Sequence, residues 1–122
     1  MPPFEIRQRT FEFACAIGKF YAYSTDKTTV PHRVAGQLLD AGTAPGAILE
    51  EAEAAHSHAD FVAKISTALK EARETHYWLR VIQASVAVPA ERIEPRLREA
   101  GELIAILTAI RKNAGHRAGQ NA

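Results

Sequence analysis

Glu53-Ala-Ala-His56 sets a carboxylate and an imidazole three residues apart, the half-motif from which helical bundles build dimetal carboxylate centres. Such a centre needs a second Glu-x-x-His on another helix and a Glu from each of the remaining two. Glu74 and His76 stand only two residues apart, which points them to different sides of a helix. Metal chemistry is therefore not expected, and His56 and His58 read as solvated residues near a helix turn. Cys15, between Ala14 and Ala16, has no base at a supporting spacing and reads as a small packing residue. Gly42-Thr-Ala-Pro-Gly46 has the glycines of a phosphate loop but neither its lysine nor a preceding strand, so it reads as a helix interruption. Without a nucleophile–base pair, the chain reads as a non-enzyme that needs no cofactor.

The densest chemistry that remains is Lys70-Glu-Ala-Arg-Glu-Thr-His-Tyr-Trp78. On a helix Glu71, Glu74 and Trp78 share one face, and Arg73, Tyr77 and Arg80 share another. Two readings are open. Arg73, Arg80, Tyr77 and Trp78 could grip phosphates and stack on bases. Alternatively the segment is a salt-bridged helix flank, with Trp78 packed against a neighbouring helix. Charge distribution bears on the choice. Residues 1–61 hold five Lys/Arg against eight Asp/Glu, and residues 62–122 hold ten against six, within a net charge of +1. Arg92, Arg96, Arg98, Arg111, Lys112 and Arg117 supply most of the basic excess. That asymmetry suits a surface for RNA, DNA or a nucleic-acid enzyme, while solvated helix faces are the plainer explanation.

These residues must be carried by helices, because no segment alternates as a strand does. Phe61, Ile65, Ala68, Ala72, Thr75, Leu79, Ile82 and Val86 recur in a 4-3 rhythm between Ser57 and Val86. The mean period of about 3.5 residues keeps one seam against neighbours in a left-handed bundle, and the segment spans roughly 40 Å. Helices are predicted over 4–23, 31–55 with a break at 42–46, 58–86, and from 89 or 95 to 113, followed by a flexible polar tail over 114–122. Pro45 motivates the break, Ser57 with Asp60 a capping box, and Val88-Pro89 the third boundary. Short connections make the expected architecture an all-α, antiparallel, up-down-up-down four-helix bundle forming one domain.

Two helices look too apolar for one core. In the first, Phe4, Phe11, Ala14, Gly18 and Tyr21 form a stripe, and Ile6, Phe13, Ile17 and Phe20 form a second. In the last, Leu97, Ala100, Ile104 and Leu107 form the seam, with Leu103, Ile106 and Ile110 beside it. Phe13, Ile17, Phe20, Leu103, Ile106 and Ile110 are thus the predicted contacts of a homo-oligomer, against the alternative of a thick monomeric core. A single cysteine, no apolar run of membrane-spanning length and no signal-peptide pattern point to the cytoplasm.

Gln37-Leu-Leu39, Gly42-Thr43, Gly46-Ala47 and Glu51-Ala52 follow the pattern QLLRSGTSIGANIxEA. Asp60-Phe61, Lys64-Ile65 and Ala68-Leu-Lys-Glu-Ala-Arg-Glu-Thr75 with Tyr77-Trp-Leu79 follow DFIxKLxIALKEARETxYWL, and Glu102-Leu103 with Ile106-Leu107 follow ELxxIL. Over residues 11–112 the chain therefore resembles the four-helix bundle proteins also called 23S ribosomal RNA intervening-sequence proteins. Pro45 stands where an aliphatic residue is usual and Ile48 where Asn is usual. The resemblance implies a bundle that assembles as a barrel-like homopentamer. Related bundles are accessory proteins of diversity-generating retroelements, so it also implies nucleic acid or a reverse transcriptase as partner.

Overall fold

In the computed structural model, which describes the backbone of residues 4–120 and the side chains of residues 4–115, four helices follow one another. They are α1 (Phe4–Lys27), α2 (His32–Ala52), α3 (His58–Ser85) and α4 (Ala90–Gln120). No strand occurs among the described residues. Each helix packs on the next in chain order, and α1 and α4 close the ring with the slightest contact. Connections of four or five residues make consecutive helices antiparallel neighbours, which gives the all-α four-helix bundle. No described helix is long and apolar enough to cross a membrane.

The seam of α1 is Ile6, Thr10, Phe13, Ile17, Phe20 and Ser24, all buried. This corrects the sequence reading, which turned Phe13, Ile17 and Phe20 outward. The buried stripe keeps an unbroken 4-3-4-3-4 spacing, with Thr10 and Ser24 as its two polar members. Both hydroxyls donate to carbonyls one turn back, Thr10 Oγ1 to Ile6 O at 2.9 Å and Ser24 Oγ to Tyr21 O at 3.0 Å, so neither is left unpaired. The same device carries α1 to Lys27, where a loop was expected from Ser24: Thr25 Oγ1 donates to Tyr21 O at 3.0 Å and Thr28 Oγ1 to Ser24 O at 2.6 Å. Leu103 is likewise core, joined on α4 by Ile93, Ala100 and Leu107. Ile106 and Ile110 are half-buried against that core.

Helix α2 runs unbroken through Pro45, correcting the predicted interruption at 42–46. Proline removes one ladder donor, but Gly42, Pro45 and Gly46 are all buried, so packing holds the turns that the missing bond loosens. A Cβ on Gly42 would lie 2.8 Å from both Ile17 γ-carbons, and one on Gly46 would lie 3.1 Å from the Thr10 carbonyl oxygen. These glycines are required for close approach of α1, whereas a Cβ on Gly18 or Gly36 meets nothing within 4 Å. Gly42→Ala is therefore expected to lower stability by about 1–2 kcal/mol, overpacking outweighing its helix propensity. Gly18→Ala should raise stability by up to about 1 kcal/mol, and thermal melts of the two variants read the contrast.

Helix α3 opens as the sequence indicates. Ser57 Oγ accepts from the Asp60 amide at 3.1 Å, and Asp60 Oδ2 accepts from the His56 amide at 3.0 Å. The His56 amide, helped by Lys64, holds the Asp60 carboxyl below the usual carboxylate range. Helix α4 absorbs Pro95 and continues to Gln120, past the expected end at residue 113. His58 Nε2 donates to the Ala114 carbonyl at 2.8 Å, and Ala114 is buried, so the segment beyond Asn113 begins docked on α3.

Candidate functional site

Lys70, Arg73, Tyr77 and Arg80 recur at 3-4-3 spacing on α3, and all four are exposed. The core stripe of α3 (Ile65, Ala68, Ala72, Thr75, Leu79 and Ile82) fixes the rotation of the helix and so turns this stripe outward. Lys70 belongs with Arg73 and Arg80, a member the sequence reading passed over although it lies one turn before Arg73. On α4, Arg98, Arg111 and Lys112 are exposed as well. Arg111 and Lys112 border a groove of about 370 Å³ between α3 and α4, together with Val62, Thr108 and Gly115. Among the described residues no ion pair engages Lys70, Arg73, Arg80, Arg98, Arg111 or Lys112.

Three expected contacts stand elsewhere. The Arg92 guanidinium lies 4.2 Å from the ring centroid of Tyr23, a cation–π contact that ties the start of α4 to the end of α1. Arg96 is half-buried, and its Nε is shielded from solvent. Trp78 packs on the core and points its Nε1 at Glu74 Oε1, 3.4 Å away, so its indole is not a free platform. The Arg117 side chain lies outside the described residues.

Tyr77 is the aromatic that the stripe presents, 49% exposed. Trp78 meets its ring edge-on, with centroids 5.2 Å apart and planes at 73°, and the Arg80 guanidinium stands over the ring at 5.9 Å. Acidic groups gather on the other side of α3. Burial, then repulsion from Glu74, pushes the Glu71 carboxyl up, and Asp40 of α2 adds to it. Burial and then Arg80 push the His76 imidazole down, so it is neutral at pH 7 and adds no charge to the basic side.

The α1–α4 side is organised differently. Arg9 clamps α4, its Nη2 2.6 Å from Glu99 and 2.8 Å from Glu102, with Nε donating to Glu99 at 3.1 Å. Ile106 and Ile110 continue the stripe of Glu99 and Glu102 along this seam. Arg7 pairs with Glu53 at 2.8 Å, which occupies the carboxylate of the Glu-x-x-His half-motif. On the outer face of α1, Phe4 and Phe11 are 66% and 59% exposed, and Cys15 is exposed beside them rather than packed inside.

The sequence pattern of the 23S rRNA-intervening sequence protein family matches residues 3–109. The fold is also similar to a solved structure from Bacteroides thetaiotaomicron VPI-5482, described as a protein with unknown function from the S23 ribosomal protein family. The two chains are 34% identical with a TM-score of 0.82, covering 88% of this chain and 98% of the other. No curated protein matches the chain. The match spans all of α1, α2 and α3 and most of α4, including the stripe around Tyr77, and the chain belongs to the 23S rRNA-intervening sequence protein family.

Proposed function

We propose that the protein is a non-enzymatic, cytoplasmic scaffold that assembles with copies of itself and binds nucleic acid along its α3–α4 side. One observation carries the reading: six exposed cations of α3 and α4 have no ion-pair partner among the described residues, whereas on α1 and α2 only Lys19 and Arg33 are exposed and unpaired. Arg7 and Arg9 on α1 are held by Glu53, Glu99 and Glu102, whereas Lys70, Arg73, Arg80, Arg98, Arg111 and Lys112 stand exposed without a carboxylate partner among the described residues. Six unneutralised charges on two adjacent helices form an electrostatic footprint that a near-zero net charge conceals. A nucleic-acid enzyme such as a reverse transcriptase is the alternative partner for the same side.

Exposed Phe4 and Phe11 support self-association, since two large aromatics two turns apart on α1 remain more than half exposed, with the Arg7 guanidinium 5.7 Å from the Phe4 ring centroid. The family resemblance implies five copies. Light scattering should give about five times the protomer mass of 13.4 kDa, and the same sample should retain an oligonucleotide at low salt. A 13.4 kDa monomer contradicts the assembly, and absence of retention contradicts the nucleic-acid role.

A further inference from the structure

Tyr77 belongs to a stripe that runs Ala63, Thr67, Lys70, Arg73, Tyr77, Arg80, Ala84, every member exposed and none acidic. From Lys70 to Arg80 the stripe rises roughly 15 Å. Its cations flank the ring on both sides along the helix. The ring itself is oriented before any ligand arrives: Trp78 abuts it at 73° and Arg80 stands 5.9 Å above it. Half of the residue nonetheless remains open to solvent. A half-exposed aromatic held between unpaired cations is the combination that takes a phosphodiester backbone and stacks on a base.

Which form of nucleic acid fits follows from the packing around α3. An α-helix with its side chains is about 10–12 Å across, and the major groove of a duplex is about 12 Å wide. A helix can enter that groove only if it protrudes, whereas α3 has α2 on one side and α4 on the other, at spacings of about 8–10 Å for packed helices. In a duplex the bases are already stacked, so Tyr77 would meet only backbone. In a single strand an unpaired base can lie on its ring.

Resting on the nucleic-acid reading above, we propose that this stripe is a subsite for single-stranded RNA or DNA, with Tyr77 as the stacking residue and Lys70, Arg73 and Arg80 as the phosphate contacts. Recognition there is tolerant of sequence, because every base has a π-face. Trp78, the chain's one tryptophan, reports on the site from 5.2 Å away.

The test titrates the full chain with oligo(U), oligo(dT) and a duplex of the same length at low salt, following anisotropy of the labelled nucleic acid and Trp78 emission. Both single strands should bind more tightly than the duplex and change Trp78 emission. Tyr77→Ala should weaken single-strand binding by about ten-fold and leave duplex binding unchanged, while Tyr77→Phe, which keeps the ring, should bind as the wild type does. Melting curves should match among the three, since the side chain is half exposed. Equal binding of duplex and single strands with Tyr77→Ala silent overturns the subsite and leaves a backbone-only interface standing. Binding of neither form overturns the subsite together with the nucleic-acid role.

Discussion

Replacing Arg111 and Lys112 together by Glu is expected to weaken nucleic-acid binding by roughly ten- to a hundred-fold at low salt, without lowering the melting temperature. Two of the six exposed cations are lost, and two like charges are set against the backbone in their place. Neither side chain makes an ion pair among the described residues, so the fold has nothing to forfeit. Arg92 and Arg96 make the opposite pair. Arg92→Glu breaks the contact with Tyr23, and Arg96→Glu inserts a carboxylate at a half-buried position. Those variants should lower the melting temperature first and affect binding only through it. Anisotropy and thermal melts on the two double variants separate surface from support.

Ile17→Ala and Leu103→Ala are each expected to cost about 2–5 kcal/mol of stability, a large share of the roughly 5–15 kcal/mol that holds a domain of this size. Both side chains are fully buried within one protomer. Ile17 also fills the space left by Gly42, so truncating it opens a gap between α1 and α2. Phe11→Glu should behave differently: its ring is 59% exposed, so the melt should change little while the proposed assembly separates into 13.4 kDa protomers. Light scattering beside thermal melts distinguishes these outcomes. Leu103→Ala dissociating the assembly at an unchanged melting temperature would show that the core reading is wrong.

Helix α3 was legible from spacing alone because its seam residues are apolar or small and keep one rhythm; Ile65, Ala68, Ala72, Thr75, Leu79 and Ile82 are all buried. Helix α1 was not, because two of its six seam positions are hydroxyls whose polarity is satisfied locally, by bonds that a hydropathy pattern does not contain. Phe4 and Phe11 are apolar too, yet they lie outside, while Tyr21 of the same stripe packs against the core. Pro45 was read as a break from its own chemistry, yet whether a helix survives proline depends on what packs on it, here the α1 backbone at Gly46. The same division holds for the basic side. Arg73, Tyr77 and Arg80 could be placed on one face by counting turns. Trp78 falls on the face of Glu71 and Glu74 by the same count, whereas its packing on the core rests on how α3 is rotated. The engagement of Arg92 with Tyr23 depends on a contact between the end of α1 and the start of α4, far apart in sequence, which no local pattern encodes.

The salt dependence of wild-type binding tests the central claim most directly. If Lys70, Arg73, Arg80, Arg98, Arg111 and Lys112 displace counterions from a single strand, log K should fall against log salt with a slope near −4, since each contact contributes about 0.7. The Arg111→Glu/Lys112→Glu variant should flatten that slope by between one and two. Binding that is absent at low salt, or an affinity that salt does not change, would contradict an interface made of these exposed cations.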